Sequence, residues 1–108
     1  PNAWDCSSFT QAAYAHIGNT IPRTAAAQRN WLAAGNGFRV PAGQEQPGDL
    51  IFIDSYLGPN QIGHVMLVYD PAKHLTIEAG GSHVDNYDYS RYTSNHIYEL
   101  WRVGDTQP

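Results

Sequence analysis

The sequence predicts an α+β domain in which helices come first and an antiparallel sheet follows. Two observations predict it. Apolar residues recur at helical spacing only ahead of Gly35. From Asp49 onward, short β-branched runs alternate with Gly, Pro and Asp turn residues. A length of 108 residues suits one hydrophobic core, so 1–108 is read as a single domain.

The elements follow in order. Phe9, Ala13 and Ile17 recur every four residues, with Ala12 beside them, and predict a helix from Asp5 to about Ile17 that stops at Gly18-Asn19. His16, in its last turn, complements the carbonyl ends. Thr24 to Ala34 is Ala-rich and free of Gly and Pro, which predicts a second helix capped by Thr24. Asp49–Asp54 is apolar on both faces and reads as a central strand. Gly58-Pro59-Asn60 reads as a loop, His64–Tyr69 as the next strand, Asp70-Pro71 as a turn and Leu75–Ala79 as the return strand. Gly80–Asn95 has no sustained period, His96–Val103 is strand-like, and the tail from Gly104 is expected to fray.

Composition excludes several function classes. The net charge is -4 and no Lys/Arg cluster exists, which argues against nucleic acid. No apolar run approaches the roughly 20 residues that cross a bilayer, so no membrane span is expected. The single cysteine rules out an internal disulfide and a multi-thiolate zinc site. His74, His83 and His96 lack metal-ligand spacing, so neither metal nor other cofactor is expected. A monomer is the expectation. The chain opens on Pro1-Asn2-Ala3 with no initiator Met or leader, as an excised or processed domain does.

Cys6 follows Asp5, a strong helix cap, and so stands at a predicted helix N-terminus. The aligned peptide dipoles there favour a thiolate, the nucleophilic form of cysteine. The bland reading is a buried, inert thiol.

A hairpin centred on Pro71 would pair Tyr69 with Lys73, Val68 with His74, Met66 with Thr76 and His64 with Glu78. His64 and Glu78 would then stand directly opposite, with Cβ atoms about 5 Å apart. A carboxylate there orients an imidazole and stabilises its charged form. The alternative is a surface ion pair of little energetic value. A register slip of one residue would turn Glu78 away and leave His83 or Asp85 as the third member. Cys6, His64 and an acid together are the logic of a thiol nucleophile with its base and orienter.

Four segments in order carry a family resemblance: Asp5-Cys6-Ser7-Ser8-Phe9, Pro22-Arg23-Thr24, Gly48-Asp49-Leu50-Ile51-Phe52 and Gly63-His64-Val65. Together with Ile77-Glu78-Ala79 they resemble the NlpC family of papain-like cell-wall peptidases. The resemblance implies a papain-like fold and a cysteine endopeptidase acting on peptidoglycan stem peptides at the D-glutamyl-diaminopimelate bond through a thioester. Cys6 is then the nucleophile, His64 the base and Glu78 the orienter, a position where most relatives carry His and some carry Glu. Asp5 and Ser7 would then receive the free amine end of the peptide, Ser8 beside the thiol and the aromatic Trp4 are further candidates to meet the substrate, and a secreted or cell-wall location follows from that substrate.

Two departures stand out. Ser8 replaces the Gly usual after the Cys-Ser pair, and a Tyr-x-Trp-Gly-Gly segment found upstream in relatives is not in this sequence. The competing readings are a catalytically silent cell-wall-binding domain, and an amidase or acyltransferase that uses the same Cys-His pair on another amide.

Overall fold

The computed structural model describes residues 10, 11, 14, 22–55, 58–80, 83–86 and 88–104. Thr10, Gln11 and Tyr14 are helical, as the predicted first helix requires. The remainder of that helix lies outside the described residues.

Helix α1, Ala25–Trp31, begins where the sequence places it. Thr24 is extended at φ -103° and ψ 157°, and its hydroxyl accepts the Ala27 N–H. The helix buries Ala25 and Gln28 against the sheet. It ends earlier than the expected Ala34, because Leu32–Asn36 widens into a π turn in which Gly35 takes φ 116°. Only glycine adopts that left-handed backbone readily.

Among the described residues the sheet has six antiparallel strands: β1 Gly37–Arg39, β2 Leu50–Ser55, β3 Gly58–Asp70, β4 Leu75–Gly80, β5 His83–Asp85 and β6 Tyr98–Val103. Their order is β1-β6-β2-β3-β4-β5. The α+β expectation therefore holds, with helix packed on antiparallel sheet. β2 lies between β6 and β3, as a strand apolar on both faces should. Its Leu50 and Phe52 pack with Tyr14, Ala25, Leu32, Val65 and Trp101. Ile51 and Ile53 pack on the opposite face with Val40, Met66, Val68, Tyr89 and Leu100.

Three parts differ from expectation. β3 begins at Gly58 rather than His64, and Pro59 is accommodated where the ladder is irregular. The stretch read as irregular contains β5 and a 3-10 turn, Tyr89–Tyr92, whose Tyr89 closes the second face of the core. Gly104 is not frayed: its N–H donates to Asn36 O at 2.9 Å.

The β3–β4 hairpin also turns differently. Val68 pairs with Thr76 and Leu67 with Ile77, a two-residue displacement from the expected Met66–Thr76 and His64–Glu78 partners. The turn occupies Pro71–His74 instead of centring on Pro71. Asp70 Oδ1 accepts from Ala72 N and Lys73 N, and His74 takes φ 56°. Asp first and Pro second is the composition of a type I turn, and the left-handed His74 then lets the return strand start at Leu75.

Candidate active site

The expected base, His64, is half-buried in β3 and pairs with Ile53 of β2. One step further the ladder pairs Asp54 with Ile62, so Gly63 is an extra residue with no partner on β2. A β-bulge of this kind bends its strand and re-aims the neighbouring side chain, and bulges gather beside active sites. Glycine beside His64 was the sequence signal for it, left unread.

A second irregularity follows at once, between Asp54 and Ser55. The end of β2 is held in place by the chain before β6: Asp54 Oδ1 accepts from Ile97 N at 3.0 Å, and Asn95 Nδ2 donates to Asp54 O at 3.3 Å.

Glu78 lies one residue beyond the paired stretch of β3 and β4, and its ladder partner is Asp85 of β5. Carried on, the β3–β4 register sets position 78 level with Met66, diagonal to His64. A displacement of two preserves the alternation of a strand. The expected direct opposition of His64 and Glu78 is corrected to a diagonal. His83 pairs with Gly80, so the three candidates for third member sit on two adjacent strands.

Cys6, with Trp4, Asp5, Ser7 and Ser8, lies outside the described residues. The described part of the predicted first helix is tied down at Tyr14. Buried Tyr14 donates its hydroxyl to Gly48 O, ahead of β2. Burial raises the Tyr14 pKa to about 12, with the Asp49 charge adding to the rise and Arg102 opposing it.

A cavity of about 480 Å³ opens beside the bulge. Ala26, Arg29 and Asn30 of α1 form one wall, Gln61 and Ile62 of β3 another, and Ile97 and Glu99 the third. Arg29 Nε donates to Glu99 Oε1 at 3.0 Å, and Trp101 Nε1 donates to the same oxygen at 2.8 Å. Arg39 NH1 stands 4.0 Å from Glu99 Oε2. Burial alone would raise the Glu99 pKa, but the Arg29 and Trp101 hydrogen bonds and the two arginine charges outweigh it and hold the carboxyl below its usual range. None of these cavity residues was singled out from the sequence, because α1 and β6 meet only in the fold. Among the described residues no group of His, Cys, Asp and Glu is placed to hold a metal, and no helix is long and apolar enough to cross a membrane.

Comparison with known proteins adds to this geometry. The family model described as NlpC/P60 family matches residues 1–102. A probable endopeptidase p60 of Listeria seeligeri is 34% identical over 86 residues, which is 80% of this chain and 15% of that protein. A probable endopeptidase of Corynebacterium glutamicum is 40% identical over 63 residues, 58% of this chain and 27% of that one. The chain thus spans well under a third of the length of these relatives.

Solved structures agree. An NLP/P60 family protein of Staphylococcus aureus, described as similar to lipoprotein, superimposes with a TM-score of 0.71 at 28% identity over 92% of this chain and 32% of that chain. RipD of Mycobacterium tuberculosis, described as a non-catalytic NlpC/p60 domain protein adapted to peptidoglycan binding, gives 0.69 at 29% identity over 93% of this chain and 67% of that one.

Proposed function

Since the chain belongs to the NlpC/P60 family, we propose that it is a cysteine endopeptidase that cleaves peptidoglycan stem peptides, with Cys6 as nucleophile and His64 as general base. The observation that carries this reading is a family match that runs through both residues, with His64 placed at a β-bulge. The names of the endopeptidase relatives support the substrate class.

In this mechanism the Cys6 thiolate adds to the amide carbonyl carbon and His64 holds the thiol proton. Collapse of the tetrahedral adduct breaks the C–N bond, and His64 gives that proton to the departing amine. Water, deprotonated by His64, then hydrolyses the thioester. Backbone N–H groups at the helix start, Cys6 among them, meet the developing oxyanion. Glu78 orients the imidazole. Asp5, Ser7, Ser8 and Trp4 meet the peptide, and the bond cut is the one between D-glutamate and diaminopimelate.

The substrate lies outside the cytoplasm, so the domain is assigned to the cell wall or the secreted fraction.

RipD supports a second reading, a domain that binds peptidoglycan without cutting it. Digestion of purified sacculi by this chain and by Cys6→Ala, with released fragments identified by mass, separates the two. Cysteine-dependent release of peptides split at the D-glutamyl bond is expected. Pull-down with sacculi but no release by either protein would establish the binding domain instead.

A further inference from the structure

We propose that the cavity between α1, β3 and β6 is a subsite for a carboxylate of the peptide, with Arg29 as its anchor. This rests on the peptide-substrate reading above and names the part of the substrate that the cavity takes.

The argument begins with the donors of Arg29. Its Nε is committed to Glu99 and its guanidinium carbon lies 5.6 Å from the Trp101 ring centroid. Its two terminal nitrogens have no partner among the described residues. The side chain keeps 31% of its exposure and lines the cavity. A guanidinium braced on one edge, with its other donors turned loose, is pre-organised for an acid group.

Charge points the same way. Arg29 and Arg39 both face the carboxylate of Glu99, which neutralises only one of the two. Glu99 is already engaged through both oxygens by the two arginines and Trp101. The remaining lining suits a peptide, since Asn30 and Gln61 offer exposed amides at the rim and Ile62 and Ile97 offer apolar walls. Ile62 and His64 flank the bulge at Gly63. An acid group held by Arg29 thus tethers a peptide to the strand that carries His64.

The test measures binding to the Cys6→Ala chain by calorimetry, using one stem peptide with free carboxylates and the same peptide with its carboxylates amidated. The acid form should bind about tenfold more tightly, the scale of one charge-assisted contact. Arg29→Gln should abolish that preference, and Gln61→Glu, at the exposed rim and outside the Arg29–Glu99 pair, should weaken the acid form alone. Equal binding of both peptides, or an undiminished preference in folded Arg29→Gln and Gln61→Glu, overturns the subsite. Hydrolysis by the unmutated chain is followed in parallel. Arg29-dependent binding without hydrolysis removes the peptidase reading and keeps the subsite; hydrolysis without an Arg29-dependent preference does the reverse.

Discussion

Arg102 grips Asp49 through two parallel bonds, Nε to Oδ1 at 2.8 Å and NH2 to Oδ2 at 2.9 Å, joining the end of β6 to the start of β2. The carboxylate is nearly fully buried and also accepts Gln46 N at 2.9 Å. Arg102 reaches on to Gln44 O. The hydrogen bonds to Asp49 come first in raising the Arg102 pKa above its ordinary value. A forked guanidinium-carboxylate pair fixes direction as well as distance, so it locks the β2–β6 register on which the core depends.

Replacing Asp49 with Ala leaves that guanidinium facing a half-closed interior with no counter-charge. We expect a loss of about 3–5 kcal/mol of stability, seen as a lower urea midpoint at unchanged slope. A loss below about 1 kcal/mol would show that the pair is merely a solvated contact.

Tyr14 gives a pH dependence of known sign. Its pKa is raised from 10.0 to about 12, above the unfolded value. Between those values the unfolded chain has released the phenolic proton and the folded chain still holds it, so stability falls as pH rises through that window. Tyr14→Phe should cost about 1 kcal/mol near neutrality, from the lost bond to Gly48 O. It should also make the alkaline decline shallower. Tyr98, likewise raised to about 12, mainly by burial, continues to contribute its share. Urea midpoints measured across the alkaline range test both statements, and parallel curves for the two proteins would contradict the second.

Gly37 is required by space alone. Its φ of -166° is ordinary extended backbone. A Cβ there would collide with the Leu32 side chain and stand 2.5 Å from the Arg102 carbonyl oxygen. The leucine end could shift, but a backbone carbonyl in the β1–β6 ladder cannot without breaking it. Gly37→Ala should therefore destabilise the fold by about 1–3 kcal/mol, measured by thermal or urea unfolding. A neutral result would mean that β1 peels from β6 at little cost.

What the sequence revealed depends on how local each cause is. β2 was legible because Leu50, Ile51, Phe52 and Ile53 form an unbroken apolar run, and both of their faces are covered in the fold. The cap of α1 was legible because Thr24 acts on Ala27 within one turn. The hairpin register was not, because Pro71 marks a turn without saying which place in it proline takes. β5 was hidden by its length of three residues, too short to show alternation. The cavity was hidden more deeply: Arg29 and Glu99 are 70 residues apart in sequence, and only the closing of β6 against β2 brings them together.

The same register sets up the last prediction. Glu78 and Asp85 are ladder partners on β4 and β5, and position 78 falls on the diagonal from His64 in place of the direct opposition first expected. A diagonal neighbour is still within reach of a long side chain, whereas Asp85 lies one strand further out, about 4.8 Å. If Glu78 orients the imidazole, Glu78→Gln removes the charge that stabilises the imidazolium, and turnover should fall by about 100- to 10,000-fold with little change in substrate binding. Asp85→Asn should leave turnover within about twofold of the unmutated chain. The reverse ranking in peptide-release assays would transfer the orienting role to Asp85. Equal and small effects would remove both carboxylates from the orienting role.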